Sequence, residues 1–410
     1  MAQTLFYIIL CIVIFNYLFG LLMDYLDSTR WSNELPAELT GIYDAEKYRK
    51  SQDYEKATMR FSLITGVFTF IILILMLSLD GFAWADTTVR GFTENPILMA
   101  LLFFGGLGLT FDIITTPFSA YHTFVIEQKF GFNTTTVKTF ILDKLKSWLM
   151  AAILGGGILA FIIWIYGATG SWFWFIAWMA ISGFSIFMSL FYSNIIVPLF
   201  NKQTPLEAGA LRDAIETFAT KTGFKLKNIF VINGSKRSKK ANAYFTGFGP
   251  KKRIVLYDTL LNDFSDEEIV AILAHEIGHY KKKHVLYGLI TSILSTGLLL
   301  YVMSLVLGSA DLAGALGADK ASFHMGILAF GMLYDPVSTL LGIAGNYVSR
   351  KHEYAADRFA ATHSSAEAMS SGLKRLHILT LSNLRPHPFT VFVTNSHPTL
   401  LQRLAAIGKL

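Results

Sequence analysis

Long uninterrupted runs of apolar residues constrain the fold of this chain more than any other feature. A helix needs about 20 apolar residues to cross the hydrocarbon core of a bilayer. Seven runs of roughly this length or more are present, at residues 4–23, 61–80, 97–117, 148–167, 172–199, 285–308 and 323–345. Only helices and closed barrels satisfy their backbone groups inside lipid, so these runs predict an α-helical multi-pass membrane protein with about seven transmembrane helices.

The charge content supports the same fold class. Only 16% of the 410 residues are charged and 53% are hydrophobic, whereas about a quarter of the residues of a soluble domain are charged. The formal net charge of +6 comes from lysines and arginines between the apolar runs, which is typical of membrane topology, so we expect no nucleic-acid partner. The single cysteine, Cys11, excludes an internal disulfide and a cysteine-based zinc site.

The first run, 4–23, is compatible with a membrane anchor or with a cleaved signal peptide. No basic residue precedes it, and the sequence "FGLLMDYLD" around its end offers no small-residue cleavage site. We therefore predict that this run is retained as a membrane anchor.

Lysine and arginine alternate between rich and poor connections. Connection 24–60 holds six of them and 118–147 holds four, whereas 81–96 and 309–322 hold one each. The positive-inside rule then predicts an outer or lumenal N-terminus and a cytosolic C-terminus. The endoplasmic reticulum membrane and a bacterial inner membrane are both compatible with this integral-membrane topology.

Two aspartates interrupt the apolar runs. Asp112 lies in "LTFDIITTPF" and Asp335 lies in "MLYDPVSTLL". Polar side chains at membrane depth are costly, and they normally face protein or water. Both an interhelical hydrogen bond and the wall of a water-filled cavity fit these residues.

Two polar stretches, 200–284 and 346–410, are long enough to fold outside the membrane. In the first, "NIFVING" and "RIVLYDTLL" have strand composition, and "ANAYFTGFGPKK" predicts a third strand followed by a Gly-Pro turn. A small sheet with an exposed edge is therefore expected. The predicted organisation has four segments: transmembrane helices 1–5 in 1–199, a catalytic segment in 200–284, transmembrane helices 6–7 in 285–345 and a C-terminal catalytic segment in 346–410.

The sequence "SDEEIVAILAHEIGHY" predicts a capped helix that carries a metal motif. Ser265 and Glu268 have the spacing of a capping box, so this helix begins outside the apolar runs. His275 and His279 are four residues apart, and on a helix both imidazoles point the same way and can bind one ion. Glu276 stands beside them, where a carboxylate can accept a proton from an attacking water.

A catalytic zinc site needs a third protein ligand. The sequence "SRKHEYAADRFA" provides Glu353, with Asp357 one helical turn later; Glu353 could alternatively pair with Arg350 or Lys351 on a solvated helix face. The ordered set of HEIGH, apolar runs, E-x-x-A-D and a late His-Pro in "TNSHPTLLQRL" resembles the type I CAAX prenyl endopeptidases, which are integral-membrane zinc proteases. The resemblance covers most of the chain and includes "FVIEQKFGFNTTT", "IVPLFNK" and "SKRSKKANAYFTGF".

This resemblance implies roles for individual residues. Glu353 corresponds to the third ligand of one Zn²⁺ per chain, and Asp357 to a carboxylate that orients a ligand histidine. His397 corresponds to the donor that stabilises the oxyanion. The other seven histidines are expected at the surface or in packing contacts.

The resemblance also implies how substrate is held. Asn242 and Ala243 correspond to the edge strand that pairs with an extended peptide, and Arg403 holds the C-terminal tail against the site. The family fold further implies that the membrane helices enclose a chamber, with a small α+β zinc-protease domain on the cytosolic side.

The sequence therefore predicts a zinc metalloendopeptidase that processes the C-termini of prenylated peptides, in contact with the lipid bilayer and acting as a monomer. A bacterial quality-control protease without prenyl substrates is one alternative. A transporter or channel with a structural zinc is another, but a structural site closes its fourth coordination position and needs no glutamate beside the first histidine.

Overall fold

The protein is described by a computed structural model that covers residues 1–32, 34–42, 44–224, 226, 228–246 and 253–410. It is mostly helical, with one small sheet. The helices before the sheet are Ala2–Ser28 (α1), Ala45–Ser78 (α2), Gly81–Phe92 (α3), Pro96–Tyr121 (α4), Gln128–Phe130 (α5), Val137–Met150 (α6), Gly156–Thr169 (α7), Phe173–Ile195 (α8) and Val197–Phe200 (α9). Short π-helical segments, His122–Glu127 and Ala151–Gly155, join α4 to α5 and α6 to α7.

The remaining elements form the polar part and the last membrane helices. The strands are Gln203–Pro205 (β1), Asn228–Ile232 (β2), Ala243–Thr246 (β3) and Arg253–Tyr257 (β4). The helices are Ala210–Lys221 (α10), Asp258–Asp263 (α11), Asp266–Lys281 (α12), His284–Val306 (α13), Ala310–Ala315 (α14), Phe323–His363 (α15), Ala366–Thr380 (α16), Pro388–Thr394 (α17) and Leu400–Ile407 (α18).

Six continuous helical stretches among the described residues are long and apolar enough to cross a membrane. One of them, Val137–Phe200, contains two of the predicted runs. These two runs lie on either side of a turn at Gly170. Gly170 has a φ of +53°, which favours glycine, and the rings of Tyr166 and Phe173 lie 5.1 Å apart across the turn. Seven apolar segments therefore occur where the sequence predicts them, and the multi-pass helical fold class is confirmed.

The membrane helices bury few of their side chains against one another. Within the most apolar window of each spanning stretch, between 6% and 17% of the residues are buried. Helices packed into a solid bundle bury an apolar stripe at least, so most of these side chains face lipid or an internal space. The enclosed chamber that the family resemblance implies stays a prediction.

Both aspartates in the apolar runs make interhelical hydrogen bonds. Asp112 accepts from Lys144 Nζ at 2.7 Å and from Trp148 Nε1 at 2.8 Å, which connects α4 to α6. Asp335 accepts from the Nδ2 group of Asn16, which connects α15 to α1.

The sheet has the strand order β1-β2-β4-β3. Strands β2 and β4 are parallel, and β1 and β3 are antiparallel to their neighbours. The three predicted strands and the exposed edge, which is β3, are confirmed; the predicted Gly-Pro turn lies outside the described residues. Strand β1 was not predicted because it has three residues and ends in a proline, and "RIVLYDTLL" leaves the sheet after Tyr257 to form α11.

The two faces of the sheet have different neighbours. One face packs on α12, where Ile254, Leu256 and the half-buried Ala243 meet Ile269 and Leu273. Residues alternate between the faces of a strand, so Asn242, Tyr244 and Tyr257 lie on the opposite face.

Helix α12 begins at the predicted capping box. The Ser265 Oγ atom accepts from the Glu268 amide at 3.3 Å, and Glu268 Oε2 accepts from the Ser265 amide at 3.0 Å. Apolar side chains of α12 also share a core with those of α15, α16 and α18. The metal motif therefore lies on a helix that is packed on several sides.

Candidate metal centre

The three candidate ligands come from two helices that touch closely. Gly278 of α12 lies against α15, where a Cβ atom would stand 3.2 Å from the Ala356 Cα atom and 3.1 Å from the Phe359 Cβ atom. The glycine of HEIGH and the alanine of E-x-x-A-D thus permit the close helix contact. This contact places His275 and His279 opposite Glu353.

The ligand atoms of these three residues all lie within 4.8 Å of one another. The two histidine Nε2 atoms are 3.1 Å apart. Glu353 Oε1 is 3.1 Å from His279 Nε2, and Glu353 Oε2 is 3.4 Å from His275 Nε2. Two imidazoles and one carboxylate are a donor set typical of catalytic zinc, with one coordination position left open.

The surroundings of Glu353 fit a bound cation. Its Oε2 atom is buried and makes no hydrogen bond with any described residue, and its nearest donors are His275 Nε2 at 3.4 Å and Arg403 Nη2 at 3.6 Å. A buried carboxylate oxygen without a donor costs free energy, and a metal ion that accepts its lone pair removes that cost. The alternative surface ion pair is wrong, because Glu353 is 4% exposed, Arg350 donates to the carbonyl oxygens of Val391 and Asn395, and Lys351 lies over the Tyr347 ring.

Asp357 and Arg403 support the first histidine. Asp357 Oδ1 lies 2.9 Å from His275 Nδ1, and Arg403 donates to both Asp357 oxygens at 2.8 and 2.6 Å. All three side chains are buried. A carboxylate at Nδ1 fixes the ring so that Nε2 faces the ion.

The electrostatics of His275 favour positive charge at this position. Burial lowers its pKa, but the nearby carboxylates of Asp357 and Glu353 raise the pKa more, to about 9. Asp357 and Glu353 similarly raise the pKa of the Arg403 guanidinium against the effect of burial. Two carboxylates therefore concentrate negative charge in a site that is largely closed to water.

His284 and His352 lie beside the site, although the sequence predicts both only at the surface or in packing contacts. His284 Nδ1 lies 3.0 Å from His279 Nδ1, and the His284 ring stacks on His352 at 3.9 Å. His284 therefore contacts the second ligand ring at the atom that faces away from the ion site. The position of His352 directly before Glu353 indicates in the sequence that this histidine lies near the site. The contact of His284 depends instead on the bend between α12 and α13.

Glu276 and His397 lie at the more open side of the cluster. Glu276 is half-buried and makes no hydrogen bond or ion pair with a described residue. His397 precedes α18, its side chain is 62% exposed, and its Nε2 atom lies 3.5 Å from Glu353 Oε1. A free carboxylate and an accessible imidazole are thus available to a substrate.

Strand β3 presents Asn242 and Ala243 at the edge of the sheet. The Tyr257 amide donates to the Asn242 carbonyl at 3.0 Å, and Ala243 pairs with Leu256. Hydrogen bonding alternates along an antiparallel pair, so the Ala243 N–H and C=O groups point away from β4. The Asn242 Oδ1 atom accepts from this outward amide at 2.8 Å.

Comparison with known families covers nearly the whole chain. Residues 24–202 match the model described as CAAX prenyl protease N-terminal, five membrane helices, and residues 205–410 match peptidase family M48. The chain belongs to the type I CAAX prenyl protease family. The resemblance seen in the sequence is therefore confirmed.

Relatives of known name and structure agree with this assignment. The chain is 36% identical to the CAAX prenyl protease 1 homolog of Oryza sativa subsp. japonica, over 97% of this chain and 96% of that protein. It is 34% identical to CAAX prenyl protease 1 of Saccharomyces cerevisiae, over 91% and 88%. The crystal structure of S. mikatae Ste24p superposes with a TM-score of 0.92 at 32% identity, over 98% of this chain and 99% of that one.

Family membership confirms the predicted enzyme class, a zinc metalloendopeptidase. These similarities support neither the quality-control protease nor the transporter or channel as an alternative.

Proposed function

We propose that this chain removes C-terminal residues from prenylated CAAX peptides, as a membrane-embedded zinc metalloendopeptidase. The observation that carries the proposal is the buried His275, His279 and Glu353 cluster on two abutting helices, within a chain that matches CAAX prenyl proteases over nearly its full length. One zinc ion per chain would be held by these three residues. The whole ligand set lies in one chain, so a monomer suffices.

The residues around the cluster have complementary roles. Bound zinc supplies a Lewis acid that lowers the pKa of water and polarises a carbonyl group. Glu276 accepts a proton from the attacking water and delivers it to the leaving amine as the C–N bond breaks. His397 donates a hydrogen bond to the carbonyl oxygen as negative charge develops there. Asp357 and Arg403 keep His275 oriented.

The edge of β3 is the proposed binding place of the substrate backbone. An extended peptide added to this edge gains main-chain hydrogen bonds from Ala243, and these do not depend on the substrate side chains. The Asn242 Oδ1 atom accepts a hydrogen bond from the outward Ala243 amide. When a peptide is present, the Asn242 Nδ2 group can donate a hydrogen bond to it.

Proline in place of Ala243 is expected to lower kcat/KM for peptide cleavage by at least about tenfold, because it removes the donor that faces the substrate. The β3–β4 hydrogen bonds should survive, because the Ala243 amide does not take part in them. Steady-state kinetics and zinc content of the purified protein check this result.

Ala243→Gly is the matched control, since glycine keeps the amide, and its activity should stay near wild type. Asn242→Ala should reduce turnover less than the proline variant while zinc content is unchanged. Normal activity of a folded Ala243→Pro protein would exclude the edge-strand mode of binding.

The cytosolic face is the proposed side of the metal site. In a Cys11→Ser background, cysteines at the exposed positions Lys221 and Glu367 should react with an impermeant thiol reagent only from the cytosolic side. Cysteines at Ala168 and Asp319, also exposed, should react only from the opposite side. Labelling of intact and permeabilised vesicles distinguishes the two patterns, and the reverse pattern would place the site on the other face.

A further inference from the structure

A cavity of about 710 Å³ lies where the end of α8 and the short helix α9 meet the sheet. Aromatic and apolar side chains dominate its lining, namely Met188, Tyr192, Val197, Phe200, Tyr244 and Tyr257. Asn242 contributes a polar group to the same wall. An apolar cavity of this volume with a few polar groups is typical of a small-molecule binding site.

The cavity opens on the sheet face that lies away from the zinc helix. Asn242, Tyr244 and Tyr257 project into it, whereas Ala243 and Leu256 project from the other face toward α12. A peptide paired with the free edge of β3 places successive side chains on alternate faces. Every second side chain of a bound substrate is therefore directed to the cavity side, next to Asn242.

The chemistry and position of the cavity indicate the class of its occupant. Its volume suits a ligand of tens of atoms and is far larger than one aliphatic side chain requires. It lies at the end of α8, whose stretch is among those apolar enough to span the membrane. Other exposed apolar residues lie along the same helix, including Met179 and Ile195. A lipid-soluble group can therefore enter from the bilayer without crossing water.

We propose that this cavity binds the isoprenoid of the prenylated cysteine while the peptide backbone pairs with β3. The inference rests on the proposed function, since it assigns a place to one part of that substrate. Tyr192, Tyr244 and Tyr257 provide flat apolar surface for the isoprenoid, and Asn242 lies where the cavity meets the backbone of the substrate.

Filling the cavity tests this assignment. Met188→Trp and Val197→Trp place a large ring in the cavity wall, whereas Phe187→Trp and Leu199→Trp make the same replacement at neighbouring exposed positions outside the lining. The substrates are one peptide with a farnesylated cysteine and the same peptide with an S-methylated cysteine. The ratio of their kcat/KM values should fall by about tenfold or more in the two cavity variants, through loss of apolar contact, and stay unchanged in the controls.

Zinc content and thermal unfolding temperature show whether each variant is folded. Equal losses for both peptides in folded cavity variants would overturn the proposal, because the cavity would then serve the peptide chain alone. Unchanged ratios would also overturn it, and would leave the cavity to bilayer lipid or to no ligand.

A second measurement does not depend on turnover. A peptide with a benzophenone group on its isoprenoid should cross-link wild-type protein within residues 188–200, 242–244 or 253–257, and farnesylated peptide should compete. Cross-links confined to other segments would overturn the assignment. If wild-type protein cleaves the S-methylated peptide as well as the farnesylated one, prenyl processing itself fails as the function, and cross-linking still decides whether the cavity holds an isoprenoid.

Discussion

Replacement of Glu276 by glutamine is expected to lower peptide turnover by at least about a hundredfold while bound zinc stays in place. Glutamine has the shape of glutamate but cannot take a proton from the attacking water. The side chain makes no hydrogen bond or ion pair with a described residue, and its charge acts on the Arg403 guanidinium only through space. Steady-state kinetics on a fluorogenic CAAX peptide, together with metal analysis, measure both quantities.

Glu267→Gln is the matched control for this variant. Glu267 is exposed in the first turn of the same helix, so the substitution removes an equal charge without affecting the metal cluster. Its turnover should be that of the wild type. Near-normal turnover of Glu276→Gln would mean that another group takes the proton.

Replacement of Glu353 by alanine is expected to remove zinc from the protein and abolish activity. Changing a group that merely orients a zinc ligand typically weakens metal binding by about 10–100-fold, and loss of a direct ligand should exceed this. The two histidines that remain cannot complete a catalytic site. Zinc content after dialysis against a chelator, and affinity measured by competition, test the result.

Glu367→Ala provides the comparison, because Glu367 is exposed in the first turn of α16. It should retain one zinc ion per chain. Asp357→Asn should fall between the two, with zinc bound more weakly but not lost. Full occupancy of Glu353→Ala by zinc would remove Glu353 from the ligand set.

The membrane helices could be predicted because their length and hydropathy are set locally. Helices α3 and α14 were missed, since short helices in the connections lack that signal. Phe82, Ala85 and Val89 of α3 and Leu312 and Ala315 of α14 are buried in one apolar core with residues of α1, α4 and α15, so these two short helices depend on tertiary packing.

The cluster of candidate zinc ligands could be predicted because two fall within one helical turn and the third lies in a specific motif. The cavity could not be predicted, because its wall combines α8, "IVPLFNK" and "ANAYFTGF". No local sequence pattern indicates that these segments meet. The contact between His279 and His284 could not be predicted for the same reason, as it depends on the chain direction after Lys283, where φ is +60°.

Helix α15 continues from the predicted membrane run to the metal cluster, and Pro336 lies within it. Its 41 residues extend about 60 Å, roughly twice the hydrocarbon thickness, and Glu353 lies about 28 Å beyond the middle of the apolar run. A tilt of about 5° around that point would displace the carboxylate by about 2.5 Å, several times the tolerance of a preorganised site. Membranes of different thickness tilt their helices differently. Turnover should therefore change with the acyl-chain length of the surrounding lipid, whereas zinc content should stay constant.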